Sequence, residues 1–301
     1  MEFIGKTNID FVGKRNIAFV ISGVLSFLGI VAIVMMSLGK ANLGVDFAGG
    51  ASVQLKFDGS VSIDQARKSL EKNGLQADLQ QFAEGNKLLI RVKKSDVPLG
   101  KVADRVVEIF TSEFSGNKFV VESSTEIGPT VGKALQKQAF WAVVLSMLAI
   151  VSYIAWRFEF KFGVAATIAT FHDVLVVLGV LFIMNKEITL LTVTALLTIA
   201  GYSLTDTVVV FDRIRENLRT KVKGALEDTI NRSVNEVLSR TIITVLTTFI
   251  AAASIFVFGG EVLHDFAFAL LLGLIVGTYS SIFVASPILI VWKTKGGKLI
   301  R

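Results

Sequence analysis

Six long runs of nearly uncharged residues set the main limit on how this chain can fold. Hydrocarbon offers no water to backbone N–H and C=O groups, so a segment crossing it must satisfy them internally, as a helix or in a closed barrel. Runs of roughly 17 to 25 apolar residues suit helices that cross about 30 Å. Such helices are expected at 17–38, 139–156, 162–184, 188–211, 241–258 and 266–292. Composition agrees: 52% of residues are hydrophobic, 19% are charged and the mean hydropathy is +0.63, too apolar for a chain that is water-soluble throughout.

The charges are segregated. They crowd into the stretch 39–138 and into short basic connections between the runs. The expected organisation is therefore an amino-terminal segment 1–16, a first span 17–38, a water-soluble insert 39–138, five further spans within 139–292 with a charged connection at 212–240, and a tail 293–301. The first span follows Lys14 and Arg15 and lacks a small-residue cleavage pattern, so it reads as an uncleaved signal anchor. With the amino terminus inside, the inner connections carry sixteen Lys and Arg, against Lys186 alone in the two short outer turns. The positive-inside rule then puts both termini in the cytoplasm and the insert outside. The same rule accounts for the net charge of +6 without a nucleic-acid partner. With no cysteine, disulfides, thiolate metal sites and cysteine nucleophiles are excluded.

Within the insert, SVQLKF, ADLQQFA, KLLIRVK and FVVESSTEI read as strands, the middle two joined around 84–86. The stretch 62–72 reads as a helix opening at polar Ser62, and 99–114 as a second helix with Val102, Val106, Ile109 and Phe110 at helical spacing. The order βαββαβ predicts a ferredoxin-like split sandwich. GVDFAGG lacks the lysine and spacing of a phosphate-binding loop, so the insert is expected to contact another protein rather than to catalyse.

Chemistry belongs to ionisable residues inside the spans: His172 and Asp173 in the third, Asp206 in the fourth and Arg240 opening the fifth. An intramembrane carboxylate commonly costs several kcal/mol, which makes each a functional candidate, with simple structural pairing as the alternative. Asp206 is too short to snorkel, whereas the Arg240 stem reaches about a turn inward and could meet it if spans four and five are neighbours. Separating such a pair leaves desolvation to favour protonation, so proton arrival could drive movement. Arg240 is also what positive-inside topology alone would produce, and His172 could be a satisfied neutral residue. His264 and Asp265 read as turn residues that could line a proton entrance. No second histidine or carboxylate stands at metal-binding spacing. An intramembrane aspartyl protease would need GxGD where this chain has SLTD, and a tyrosine before Asp173 where it has His172.

The motifs GVDFAGG after the first span, EIGPTVGKAL before the second, HDV in the third, GYSLTDTVVVFDRIREN and SRTIIT resemble the SecF branch of the SecD/SecF family over essentially the whole chain. That family is similar to one half of a resistance-nodulation-division transporter. The resemblance implies a SecD partner, docking on the SecYEG channel, often YajC, and a role in moving unfolded preproteins across the bacterial inner membrane with the proton motive force. It implies no enzyme activity and no cofactor. By the same resemblance Asp206 and Arg240 are the proton-handling pair, with Asp173 and His172 the further relay candidates. Asp46, Phe47, Gly49 and Gly50 are a hinge motif, and Asp212, Arg213 and Arg215 a charged cytoplasmic motif with a packing role. Ser203, Thr205 and Thr207 beside Asp206 leave Na⁺ open as the coupling ion. A passive scaffold and one half of a small-molecule exporter are the alternative functions.

Overall fold

The computed structural model describes residues 7–82, 86–92, 98, 100–220 and 225–294. It divides into two compact units, one formed by the chain up to Asn42 and from Ala142 on, the other Leu43–Trp141.

The smaller unit begins with a single turn, α2 (Val45–Ala48), and continues β1 (Gly50–Phe57), α3 (Ile63–Lys72), β2 (Asp78–Phe82), β3 (Lys87–Val92), α4 (Val102–Glu113) and β4 (Phe119–Ile127). Period-two patterning sets the register. Ala51, Val53 and Leu55 of β1 lie opposite Val92, Ile90 and Leu88 of β3, and all six are buried on one face. That face packs on Ala66 and Leu70 of α3 and on Val106, Ile109 and Phe110 of α4. The antiparallel sheet runs β2-β3-β1-β4, the ferredoxin-like order expected from the βαββαβ pattern. Two details differ from expectation. Ser62 occupies the N-cap of α3 without a side-chain bond, and α4 starts at Val102, later than 99. Of the 84–86 connection, only Asn86 is among the described residues, at φ +51°.

The larger unit is helical. Its elements are α1 (Arg15–Ser37), α5 (Pro129–Arg157, shared with the smaller unit), α6 (Phe160–Ile183), α7 (Leu190–Arg219), α8 (Leu226–Phe258), α9 (Gly260–Ser280), a π-turn (Ser281–Ala285) and α10 (Ser286–Thr294). α9, the π-turn and α10 run on as one rod, so six helices are long and apolar enough to cross a membrane. α6 ends where Asn185 takes φ +52°, and α7 opens on a capping box in which Thr189 and Thr192 bond each other's backbone N–H at 3.2 Å.

The segment 212–240 is not the connecting loop that its charges suggest. α7 continues to Arg219 and α8 begins at Leu226. The charges pair along and between these extensions: Arg213 bonds Glu216 three residues on, and Glu236 across on α8, each at 2.7 Å. Helices that outrun the apolar layer carry polar residues without ceasing to be helices.

Small residues let the helices approach closely. A Cβ on Gly29 of α1 would stand 2.1 Å from the Leu175 carbonyl oxygen of α6, and one on Gly179 would stand 2.8 Å from the Gly29 nitrogen. Likewise Gly273 and Gly277, one turn apart on α9, face Ile199 and Ser203 of α7, where a Cβ would meet side-chain atoms at 2.3 and 3.2 Å. The second contact brings α9 against the buried face of α7 and builds the site described next.

Candidate functional site: a buried carboxylate layer

α7 turns Ser203, Asp206, Thr207, Val210 and Ile214 to the bundle interior, the spacing of one helical face. Asp206 is 9% exposed, and Asp173, on the inward face of α6, is fully buried. Neither carboxylate is left without donors. Asp206 Oδ1 accepts from the Thr241 hydroxyl of α8 at 2.9 Å, and its Oδ2 from the Ser281 hydroxyl of the π-turn at 2.5 Å. Asp173 Oδ2 accepts from Ser203 of α7 and from Ser280 at the end of α9, the latter at 2.7 Å. Its Oδ1 lies 2.8 Å from His172 Nδ1. Donors from α7, α8, α9 and the π-turn therefore converge on two carboxylates. A charge-assisted hydrogen bond is worth about 1.5–3 kcal/mol, so two or three of them offset much of the cost of an intramembrane charge.

The expected contact between Asp206 and Arg240 does not form: no ion pair joins them within 4.0 Å. Thr241 takes the inward position, while Arg240, one residue and about 100° away on the helix, is exposed. Of the three hydroxyls considered for Na⁺, none bonds Asp206. Ser203 serves Asp173, Thr205 bonds the Gly201 carbonyl at 3.0 Å, and Thr207 is buried without a partner. His172 lies on the same layer, with Nε2 buried and unpartnered. Among the described residues no group of three or more His, Cys, Asp or Glu could hold a metal.

The other candidates are structural in their contacts. Asp212 pairs with Arg157 of α5 at 3.4 Å. Arg213 joins Glu216 and Glu236, and Arg215 has a buried Nε without a partner. Glu236 also accepts from Asn217 at 2.7 Å, so this motif clamps α7 to α8. Asp265 pairs with Lys186 at 2.8 Å, with His264 Nδ1 3.4 Å away. The glycine motif forms a corner. Gly49 and Gly50 take φ +75° and +121°, and a Cβ on Gly49 would stand 3.0 Å from Pro129 Cα. The carbonyl of buried Phe47 accepts from Gln136 at 2.7 Å, next to Asp46 in the turn α2. GVDFAGG and EIGPTVGKAL, far apart in sequence, thus meet in one junction within the smaller unit. Its glycines serve a hydrogen-bonded turn with a close backbone approach.

Sequence reasoning did not single out Ser280, Ser281 or Thr241, which hold the carboxylates. Nor did it find Asn231 and Asn235 of α8, which bond the backbone of Ile9 and Phe11 at 2.9 to 3.0 Å. Adjacent serines inside an apolar run were the available signal.

A bundle of six helices long and apolar enough to cross a membrane, with a ferredoxin-like insert after the first and two buried carboxylates among the helices, defines a multi-pass membrane protein. The comparisons specify it further. Residues 107–295 match the family described as protein export membrane protein SecD/SecF, C-terminal, and residues 40–61 match the SecD/SecF GG motif. The chain is 51% identical to the protein translocase subunit SecF of Thermodesulfovibrio yellowstonii, over 96% of each chain. It is 39% identical to that of Endomicrobium trichonymphae, over 100% of this chain and 96% of the relative. Among solved structures, SecDF of Thermus thermophilus, a translocon-associated membrane protein, superposes with a TM-score of 0.84 at 34% identity. The match covers 96% of this chain and 39% of that one. A SecDF in a super-membrane-facing form gives 0.69 at 32% identity, over 97% of this chain and 40% of that one. The chain belongs to the SecD/SecF family of protein-export membrane proteins.

Proposed function

We propose that this chain is the SecF-type subunit of a Sec protein-export accessory complex and that it couples proton movement through its bundle to export of unfolded preproteins. Asp206 carries the proton, held by Thr241 and Ser281 with Arg240 close by. Asp173 with His172 is a second protonatable group in the same layer. The observation that carries this reading is a buried carboxylate surrounded by hydroxyls instead of a salt-bridged cation. A hydroxyl donates to an ionised carboxylate and accepts from a protonated one, so the pocket serves both states. A tight ion pair would serve only the charged state.

The solved SecDF chain is more than twice as long as its matched part, which supports a SecD partner supplying the remaining spans. The exposed α8 span, only 11% buried, leaves a face for such a partner. Docking on SecYEG, association with YajC, placement in the bacterial inner membrane and a cytoplasmic location for both termini complete the proposal. The last follows from the basic residues gathered at one end of the spans. One charge moving through 100 mV gains about 2.3 kcal/mol, enough to shift a two-state bundle tens-fold. The complex has no enzymatic activity of its own in this scheme.

The test is gradient-dependent export of a precursor into vesicles holding this chain and its SecD partner, comparing the native chain with Asp206→Asn at matched expression. Loss of the gradient's contribution with normal assembly is expected. Retention of that contribution would mean a passive scaffold, and a drug-susceptibility change with unaltered secretion would mean an exporter.

A further inference from the structure

Two adjacent serines tie both carboxylates to one stretch of helix. Ser280 ends α9 and bonds Asp173 of α6; Ser281 opens the π-turn and bonds Asp206 of α7. π-turns inside long helices are uncommon and gather at functional sites, because the extra residue redirects side chains and loosens the backbone ladder. Here the ladder is patched from within: the Ser286 hydroxyl donates to the Ser281 carbonyl at 2.8 Å. All three serines are fully buried.

Each of the first two hydroxyls has a second acceptor within reach. Ser280 Oγ lies 3.1 Å from the Gly277 carbonyl oxygen, and Ser281 Oγ lies 3.0 Å from that of Thr278. A hydroxyl has one proton to donate, so it serves the carboxylate or the carbonyl.

We propose that Ser280 and Ser281 are positioning residues of the proton-handling layer, each turning its hydroxyl between a carboxylate and a carbonyl of its own helix as that carboxylate loses or gains a proton. This rests on reading Asp206 as the proton carrier. With the carboxylate ionised, the serine donates to it. When a proton arrives from water on one side of the membrane, it adds to a carboxylate oxygen, and the new acid O–H donates to the serine oxygen. The serine hydrogen then turns to Gly277 or Thr278. No serine O–H bond breaks, and the proton later leaves to water on the other side. Neither state strands a buried polar group, which would cost more than the bond itself gains. The titratable groups acting on the pair are Arg240 and Tyr202 around Asp206, and His172 against Asp173.

The test measures protonation directly, without a gradient, in the full chain reconstituted in lipid vesicles. Infrared difference spectra across a pH series follow the carboxylic C=O band of each aspartate, assigned by its loss in Asp206→Asn and Asp173→Asn. Ser281→Ala removes a donor that favours the ionised form, so the Asp206 band persists to about one pH unit higher, a tenfold change in proton affinity. Ser280→Ala does the same to the Asp173 band. Should an alanine variant not fold, Ser281→Cys and Ser280→Cys, nearly isosteric but weaker donors, give smaller shifts of the same sign. Midpoints unchanged in every folded variant overturn the proposal, as does a native band that does not titrate. These readings are independent of transport. If Asp206→Asn keeps gradient-driven export while the bands shift as stated, the proposed function fails, and what stands is that the serines set the protonation of the two carboxylates, without a part in proton passage.

Discussion

Replacing Gly29 with alanine isolates the contact that holds the first span to the bundle. The added methyl would stand 2.1 Å from the Leu175 carbonyl oxygen, and ordinary contact starts near 3.4 Å, so α1 and α6 must part by about 1.3 Å at the crossing. Both partners are backbone, so no side chain can rotate away. A gap of 0.5–1 Å already forfeits a quarter to a half of each dispersion contact, and the separation is felt along the whole seam. The expected loss is about 3 kcal/mol, the upper end for overpacking. Gly23 on the same helix is the internal control, because a Cβ there meets nothing within 4 Å. Gly23→Ala is expected to be neutral or to stabilise by about 0.5–1 kcal/mol through lower chain entropy. The assay is reversible unfolding of the full chain in mixed micelles by titration with a denaturing detergent. Equal midpoints for Gly29→Ala, Gly23→Ala and the native chain would refute the account of the α1–α6 seam.

Two further outcomes follow from particular contacts. Asn235→Ala removes two of the three bonds that α8 makes to Ile9, at 2.9 Å each, leaving that from Asn231, and costs about 1 kcal/mol locally; protease cleavage ahead of α1 should speed up several-fold while the spans stay intact, and unaltered cleavage contradicts the clamp. Phe110→Ala opens the core of the smaller unit beside Phe57, Phe114 and Phe119, with ring centroids at 5.1 to 6.4 Å, and costs about 3–5 kcal/mol. Hydrogen exchange in the full chain should then speed up in β1 and β3 and not in α6 or α7; uniform protection would show that the ring is not what closes that core.

Much of the architecture was legible because it rests on short-range chemistry. The period-two alternation of Val53, Leu55 and Phe57 and the helical spacing of Val102, Val106 and Phe110 each name their own element. The spans were readable for the same reason, but their ends were not. Charge alone ends a span at 211 and starts the next at 241, whereas the helices run on to Arg219 and start from Leu226. Hydropathy locates the apolar layer, and backbone hydrogen bonding locates the helix; the two stop at different residues when ion pairs such as Arg213–Glu236 support the extension.

The site divides along the same line. Sequence alone determined that Asp173 and Asp206 are costly where they stand, because burial of a carboxylate in an apolar helix is unfavourable whatever surrounds it. Which groups offset that cost was decided by tertiary structure. Arg240 carries the obvious opposite charge, yet Thr241 holds the inward face, and the π-turn delivers Ser281 from a helix 75 residues away. The close approach of Gly273 and Gly277 to α7 brings that serine within reach. Residue type states what a buried group needs. Only helix rotation and crossing distance decide which neighbour supplies it, and neither is written in any one segment of the chain.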